Sequence, residues 1–125
     1  MALILIVDDS PTEVHVMKKA LEKSGYQTAT ANDGAEGVRM AREMTPDLIF
    51  MDVVMPRVNG YQATRTLTRD PQTKSIPVVM ITTKDQETDR IWGMRQGAVD
   101  YLVKPVTEAV LVAKAQEVLE RGSND

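Results

Sequence analysis

The chain has no cysteine, which rules out disulfides and thiolate-bound metals. It has one histidine, His15, in the stretch expected to form the first helix, so it holds little from which to build a zinc or copper site. It has no basic excess. Fifteen Lys and Arg face eighteen Asp and Glu, and the net charge of −3 argues against a general nucleic-acid binder. No apolar run approaches the roughly 18 to 20 residues that span a bilayer. Met1-Ala2 leads straight into a strand-like run and leaves no room for a signal peptide. These absences predict a cytoplasmic protein with no membrane span. A length of 125 residues, 42% of them hydrophobic and 26% charged, suits one domain around a single core.

Strand-like and helix-like stretches alternate along the chain. Residues 2 to 7 form a short apolar run. Ser10-Pro11-Thr12-Glu13 has the pattern of a capping box, with Pro11 at the first helical position and Glu13 set to reach back. Val14, Met17 and Leu21 follow at helical spacing, and Gly25 is a stop. Tyr26 to Ala31 reads as a second strand, and Asn32-Asp33-Gly34 as a turn before a second helix that closes ahead of Pro46. Asp47 to Asp52, Pro77 to Thr82 and Val99 to Val103 read as three more strands. They are separated by helices from about Tyr61 to Arg69 and up to about Gln96, and a last helix carries Leu111, Ala115, Val118 and Leu119 on one face. Residues 122 to 125 read as a tail, and 1 to 121 as the domain.

Five strands alternating with five helices predict an α/β fold, a doubly wound parallel sheet covered on both faces and with strands apolar throughout. In such sheets the ligand crevice lies outside the carboxyl ends of the strands. Asp8 and Asp9 follow the first strand, Asp52 ends the third, Thr82 and Thr83 end the fourth, and Lys104 ends the fifth. A lone Asp at a strand end is usually a turn or cap residue. This many polar groups at four strand ends point instead to one site. Three converging carboxylates repel one another, and a divalent cation removes the conflict; magnesium (Mg2+) favours oxygen ligands. Carboxylates, a hard cation, a lysine and a hydroxyl suit phosphoryl transfer, with one carboxylate able to act as the nucleophile.

The set Asp8-Asp9, Asp52 in "DVVMP", Thr82-Thr83 and Lys104-Pro105 resembles the receiver domain of two-component response regulators, over essentially the whole chain. "VDDSPTE" and "TTKDQETDRIWGMRQGA" look most like receivers of the PilH type from twitching-motility systems. The resemblance implies a flavodoxin-like (CheY-like) sheet of order 2-1-3-4-5 in a stand-alone receiver without an output domain. It implies Asp52 as phosphoacceptor, and Asp8, Asp9, Asp52 and the Val54 carbonyl as magnesium ligands. Thr82, Thr83 and Lys104 would hold phosphoryl oxygens. Thr82 and Tyr101 would be the switch pair, with Tyr101 turning inward, and Lys104-Pro105 a cis peptide. A histidine kinase would be the phosphodonor, and a downstream protein would bind the face of helix 4, strand 5 and helix 5. Two positions depart from the family's pattern. Val54 stands where many receivers have a polar side chain, and Lys84 where chemotaxis receivers often have an acid. Both predict an altered acyl-phosphate lifetime, while Thr83 predicts a narrower path for the donor.

Other readings compete. A phosphate sink that drains a kinase would use the same chemistry, and an unphosphorylated binding module would use none of it. A haloacid-dehalogenase-type hydrolase would need a second acid at position 54, which is Val. A flavin-binding flavodoxin relative would need a phosphate loop where "DDSPT" places two negative charges. Trp92 reads equally as a partner anchor or as a half-buried helix residue, the methionines as gap-fillers and His15 as a surface residue.

Overall fold

The structure is a computed structural model that describes residues 2–123. Five strands, β1 (Leu3–Val7), β2 (Gln27–Ala31), β3 (Leu48–Met51), β4 (Val78–Thr82) and β5 (Asp100–Val103), alternate with five helices. These are α1 (Pro11–Lys23), α2 (Gly34–Met44), α3 (Gly60–Arg69), α4 (Glu87–Arg95) and α5 (Glu108–Ser123). All strand pairs are parallel, in the order β2-β1-β3-β4-β5. That is the flavodoxin-like order that the resemblance to receivers implies.

Side chains alternate across the sheet, as the period of two requires. Leu5, Val7, Ile49, Met51 and Val78 pack with Val38 and Ala41 of α2 and Ala63 and Leu67 of α3. Ile4, Ile6, Leu48, Phe50, Val79 and Ile81 pack on the other face with Ala20 and Leu21 of α1 and with Leu111, Ala115 and Val118 of α5. Met80 and Tyr101 join Val53, Ala98, Tyr61 and Met94 in a smaller cluster beneath α4.

Three expectations need correction. The strands are not apolar throughout. β1 and β3 are, and β4 is up to its last residue, Thr82; β2 is Gln-Thr-Ala-Thr-Ala and mostly half-exposed, and β5 begins at Asp100 and ends at the exposed Val103. β2 and β5 are the sheet's edges, which neighbours cover only in part. The last helix runs on to Ser123, into the stretch read as a tail; positions 124 and 125 lie outside the described residues. The Ser10–Glu13 capping box forms only in half. Ser10 Oγ accepts from the Glu13 backbone N–H at 3.4 Å, but the Glu13 carboxylate goes elsewhere.

Candidate functional site

The register sets the site. Val7 pairs with Met51, and Met51 with Met80, so Asp8 and Asp52 leave the sheet side by side. β4 continues past Met80 to Thr82, which pairs with Val103, so Thr82 and Lys104 arrive on the other flank. Backbone bonds continue the ladder beyond the strands: Asp8 N–H to the Ala31 carbonyl (3.1 Å), Asp52 N–H to Val7 (2.9 Å) and Lys104 N–H to Thr82 (2.8 Å). The acids are therefore fixed by the sheet rather than by a loop. Gly60 fixes Asp52 from below. Its N–H donates to the Val53 carbonyl at 2.9 Å, and a Cβ there would lie 2.1 Å from the Asp52 carbonyl oxygen, so no other residue fits.

Carboxylate oxygens of Asp8, Asp9 and Asp52 lie within 4.8 Å of one another. Asp8 and Asp52 are buried, and Asp9 is exposed at the mouth. Lys104 Nζ lies 2.9 Å from Asp8, 3.6 Å from Asp52 and 2.5 Å from Glu13. Burial raises the Asp52 carboxyl above its ordinary range. The Asp8 charge adds to the rise, and Lys104 and the N–H groups of Val53 and Val54 only partly oppose it. Burial works against the Lys104 charge. Hydrogen bonds to Glu13 and Asp8 and the Asp52 charge outweigh it and hold the ammonium above its ordinary value. Hard oxygen donors, an excess of negative charge and one open side fit a divalent cation with oxygen preference.

The family model described as the response regulator receiver domain matches residues 4–116. The chain belongs to the response regulator receiver family. It is 56% identical over 119 residues to the protein PilH of Pseudomonas aeruginosa, covering 95% of this chain and 98% of that one. The response regulator PleD of Caulobacter vibrioides is 40% identical over 117 residues, which are 94% of this chain but 26% of PleD. Among solved structures, the chemotaxis protein CheY4 of Vibrio cholerae superposes with a TM-score of 0.89 at 33% identity, covering 94% of this chain and 98% of that one.

The receiver's other predicted residues are less closely gathered. Thr82 is fully buried, and its hydroxyl accepts from the Lys84 N–H at 3.3 Å, within its own loop. Thr83 is exposed, as is the Val54 side chain. Lys84 pairs with Asp89 of α4 at 3.7 Å. Tyr101 lies inside, 6% exposed, and its hydroxyl donates to the Lys84 carbonyl at 2.9 Å. Burial of this ring raises the phenol's pKa. The Lys104-Pro105 peptide is cis. His15 is exposed on α1, and Trp92 is half-exposed on α4.

Three residues around the site escape a reading of the sequence. Glu13 reads as a helix cap, yet its carboxylate binds Lys104. Tyr61 reads only as the start of a helix, yet its hydroxyl donates to the Asp89 carbonyl of α4 at 3.0 Å. Gly93 sits where a Cβ would meet Met80 Sδ at 2.7 Å and the Tyr101 ring at 3.0 Å, so its lack of a side chain lets α4 lie on that ring. An acid in the first turn and a glycine inside a nine-residue helix were the available signals, and each has a commoner local explanation.

Proposed function

We propose that this receiver is a phosphorylation-switched signalling module whose phosphoacceptor is Asp52. An Asp52 carboxylate oxygen attacks the phosphorus of a kinase phosphohistidine in line. The new O–P bond forms as the P–N bond breaks, and the imidazole departs. The observation that carries this reading is the buried Asp52 carboxylate beside Asp8, Asp9 and the Lys104 ammonium. Asp8, Asp9, Asp52 and the Val54 carbonyl would hold magnesium, which when bound supplies charge neutralisation for the transferred group. Lys104 and the Thr82 hydroxyl take up phosphoryl oxygens, and the Thr83 N–H lies next to them in sequence. Turning Thr82 toward the phosphoryl group gives up its bond to the Lys84 N–H, which loosens the loop whose carbonyl holds Tyr101.

The switched surface is the face of α4, β5 and α5, where a downstream protein binds. Lys84, held by Asp89, and Val54, which has no polar group to orient water, favour a long-lived acyl phosphate. The protein's own catalysis is limited to gaining and losing one phosphoryl group. The relatives named PilH and CheY4 support a chemosensory or pilus-motility pathway. The match over 98% of PilH supports a receiver that works as a single unit, residues 1–121. Among the described residues, no helix is long and apolar enough to cross a membrane.

Intact mass after incubation with acetyl phosphate tests the reading. A magnesium-dependent gain of one phosphoryl group that Asp52→Ala abolishes is expected. Incorporation that survives that substitution would overturn it. A phosphorylated form that binds no downstream protein yet drains its kinase would identify a phosphate sink.

A further inference from the structure

Glu13 approaches the site from α1, outside the three clustered aspartates. Its backbone N–H is spent on the Ser10 cap, and its carboxylate is free of that cap. Lys104 offers three N–H donors and meets three carboxylates. The nearest is not a member of the cluster: Glu13 lies at 2.5 Å, Asp8 at 2.9 Å and Asp52 at 3.6 Å. The Lys104 side chain is 10% exposed and that of Glu13 44%, so Glu13 draws the ammonium toward the rim. Both residues line a cleft of about 180 Å³ between α1 and the turn that follows β5, away from Asp9.

We propose that Glu13 is a positioning residue that competes with Asp52, and with the phosphoryl group Asp52 would carry, for the Lys104 ammonium. The inference rests on Asp52 being the phosphoacceptor. Charge-assisted hydrogen bonds are stronger than neutral ones, and one ammonium cannot lie equally close to every acid around it. Held by Glu13, Lys104 stays beyond hydrogen-bond distance of Asp52 and leaves that carboxylate's lone pairs open to a cation and a donor. Once Asp52 is loaded, the phosphoryl oxygens and Glu13 pull the Lys104 ammonium in different directions. The acid thus makes loading easier and the loaded state less tightly held.

The experiment compares wild type with Glu13→Gln, Glu13→Asp and Lys104→Met. Magnesium alone is titrated by NMR on the Val53 amide, and beryllofluoride, a tetrahedral stand-in for the phosphoryl group, is titrated with magnesium present. Glu13→Gln is expected to weaken magnesium and tighten beryllofluoride, each by roughly three- to tenfold. Loss of a remote negative charge would have the same signs, so two further variants separate contact from field. Glu13→Asp keeps the charge and shortens the arm, and should behave like Glu13→Gln. In a Lys104→Met background, Glu13→Gln should change nothing further. In the metal-free protein, the ammonium protons of Lys104 should be visible in wild type and lost to exchange in Glu13→Gln. The proposal is overturned if Glu13→Asp matches wild type, or if the Glu13→Gln effects persist in full without Lys104. If wild type itself takes up no beryllofluoride, the phosphoacceptor reading fails. The magnesium titration and the ammonium signal then still decide whether Glu13 holds Lys104 away from Asp52.

Discussion

Helices α1 and α4 both flank the acid-bearing edge, but they are attached to the sheet by different means. α1 buries Ala20 and Leu21 and lays Val14 and Met17 against the core of Ile4, Ile6 and Phe50. α4 buries only Gly93 among its residues, leaves Ile91 and Trp92 at 42% and 47% exposure, and rests on a small cluster. Two phenol hydroxyls do much of the holding: Tyr101 grips the Lys84 carbonyl ahead of α4, and Tyr61 grips Asp89 in its first turn. Packed apolar area has no comparable second arrangement, whereas a hydrogen bond worth about 1 kcal/mol net can be exchanged for another. The side that fixes the acids is thus rigid by packing, and the side that would signal is held by contacts that can be traded. Switching elements are drawn from the low-stability end of a structure.

The contrast can be broken most severely on the α1 side. Leu21→Ala, at a fully buried position, should cost about 3 kcal/mol in denaturant unfolding and lower the midpoint for the whole domain. Gly93→Ala should cost about 2 kcal/mol by overpacking against Met80 and Tyr101. Its damage should stay local, with faster hydrogen exchange in α4 and unchanged protection in α1. Tyr101→Phe should cost about 1 kcal/mol and raise exchange in α4 alone.

Asp52→Asn acts at the seam between the two sides, and its effect is set by pH. A carboxyl whose folded pKa is raised stabilises fully below its ordinary value of 3.8, and that contribution is lost as pH rises through the folded pKa. In metal-free buffer at neutral pH, Asp52→Asn should therefore unfold at a higher temperature than wild type, by an amount worth about 1 kcal/mol. The gap should close as pH falls below 3.8, and magnesium should narrow it at neutral pH by stabilising only the wild type. Trp92→Ala should be the mildest, within about 0.5 kcal/mol of wild type, because its side chain carries little of the packing.

The sheet order was legible only through the resemblance to receivers, whereas the convergence of Asp8, Asp9, Asp52 and Lys104 was legible because parallel sheets deliver their carboxyl ends to one edge and the apolar central strands announce themselves. The edge strand Gln27–Ala31 was legible as a strand but not in its exposure, which depends on its place in the sheet rather than on its own residues. Glu13 was hidden for a related reason. Its local pattern spells a helix start, and the partner that captures its carboxylate lies 91 residues away. Lys84 read only as a departure from the receiver pattern; its pairing with Asp89 of α4 emerges from the fold. Tyr61 and Gly93 matter only through the third dimension, where one hydroxyl and one missing side chain decide how α4 sits.

The chain has a single tryptophan, and it lies half-exposed on the helix that is least firmly packed. Its indole emission therefore reports on α4 alone, with no second fluorophore of its kind to subtract. Movement of that helix, or a partner settling over it, would shift the colour and quenching of the unlabelled protein. The receiver thus carries its own optical probe on the surface where its signal would be read.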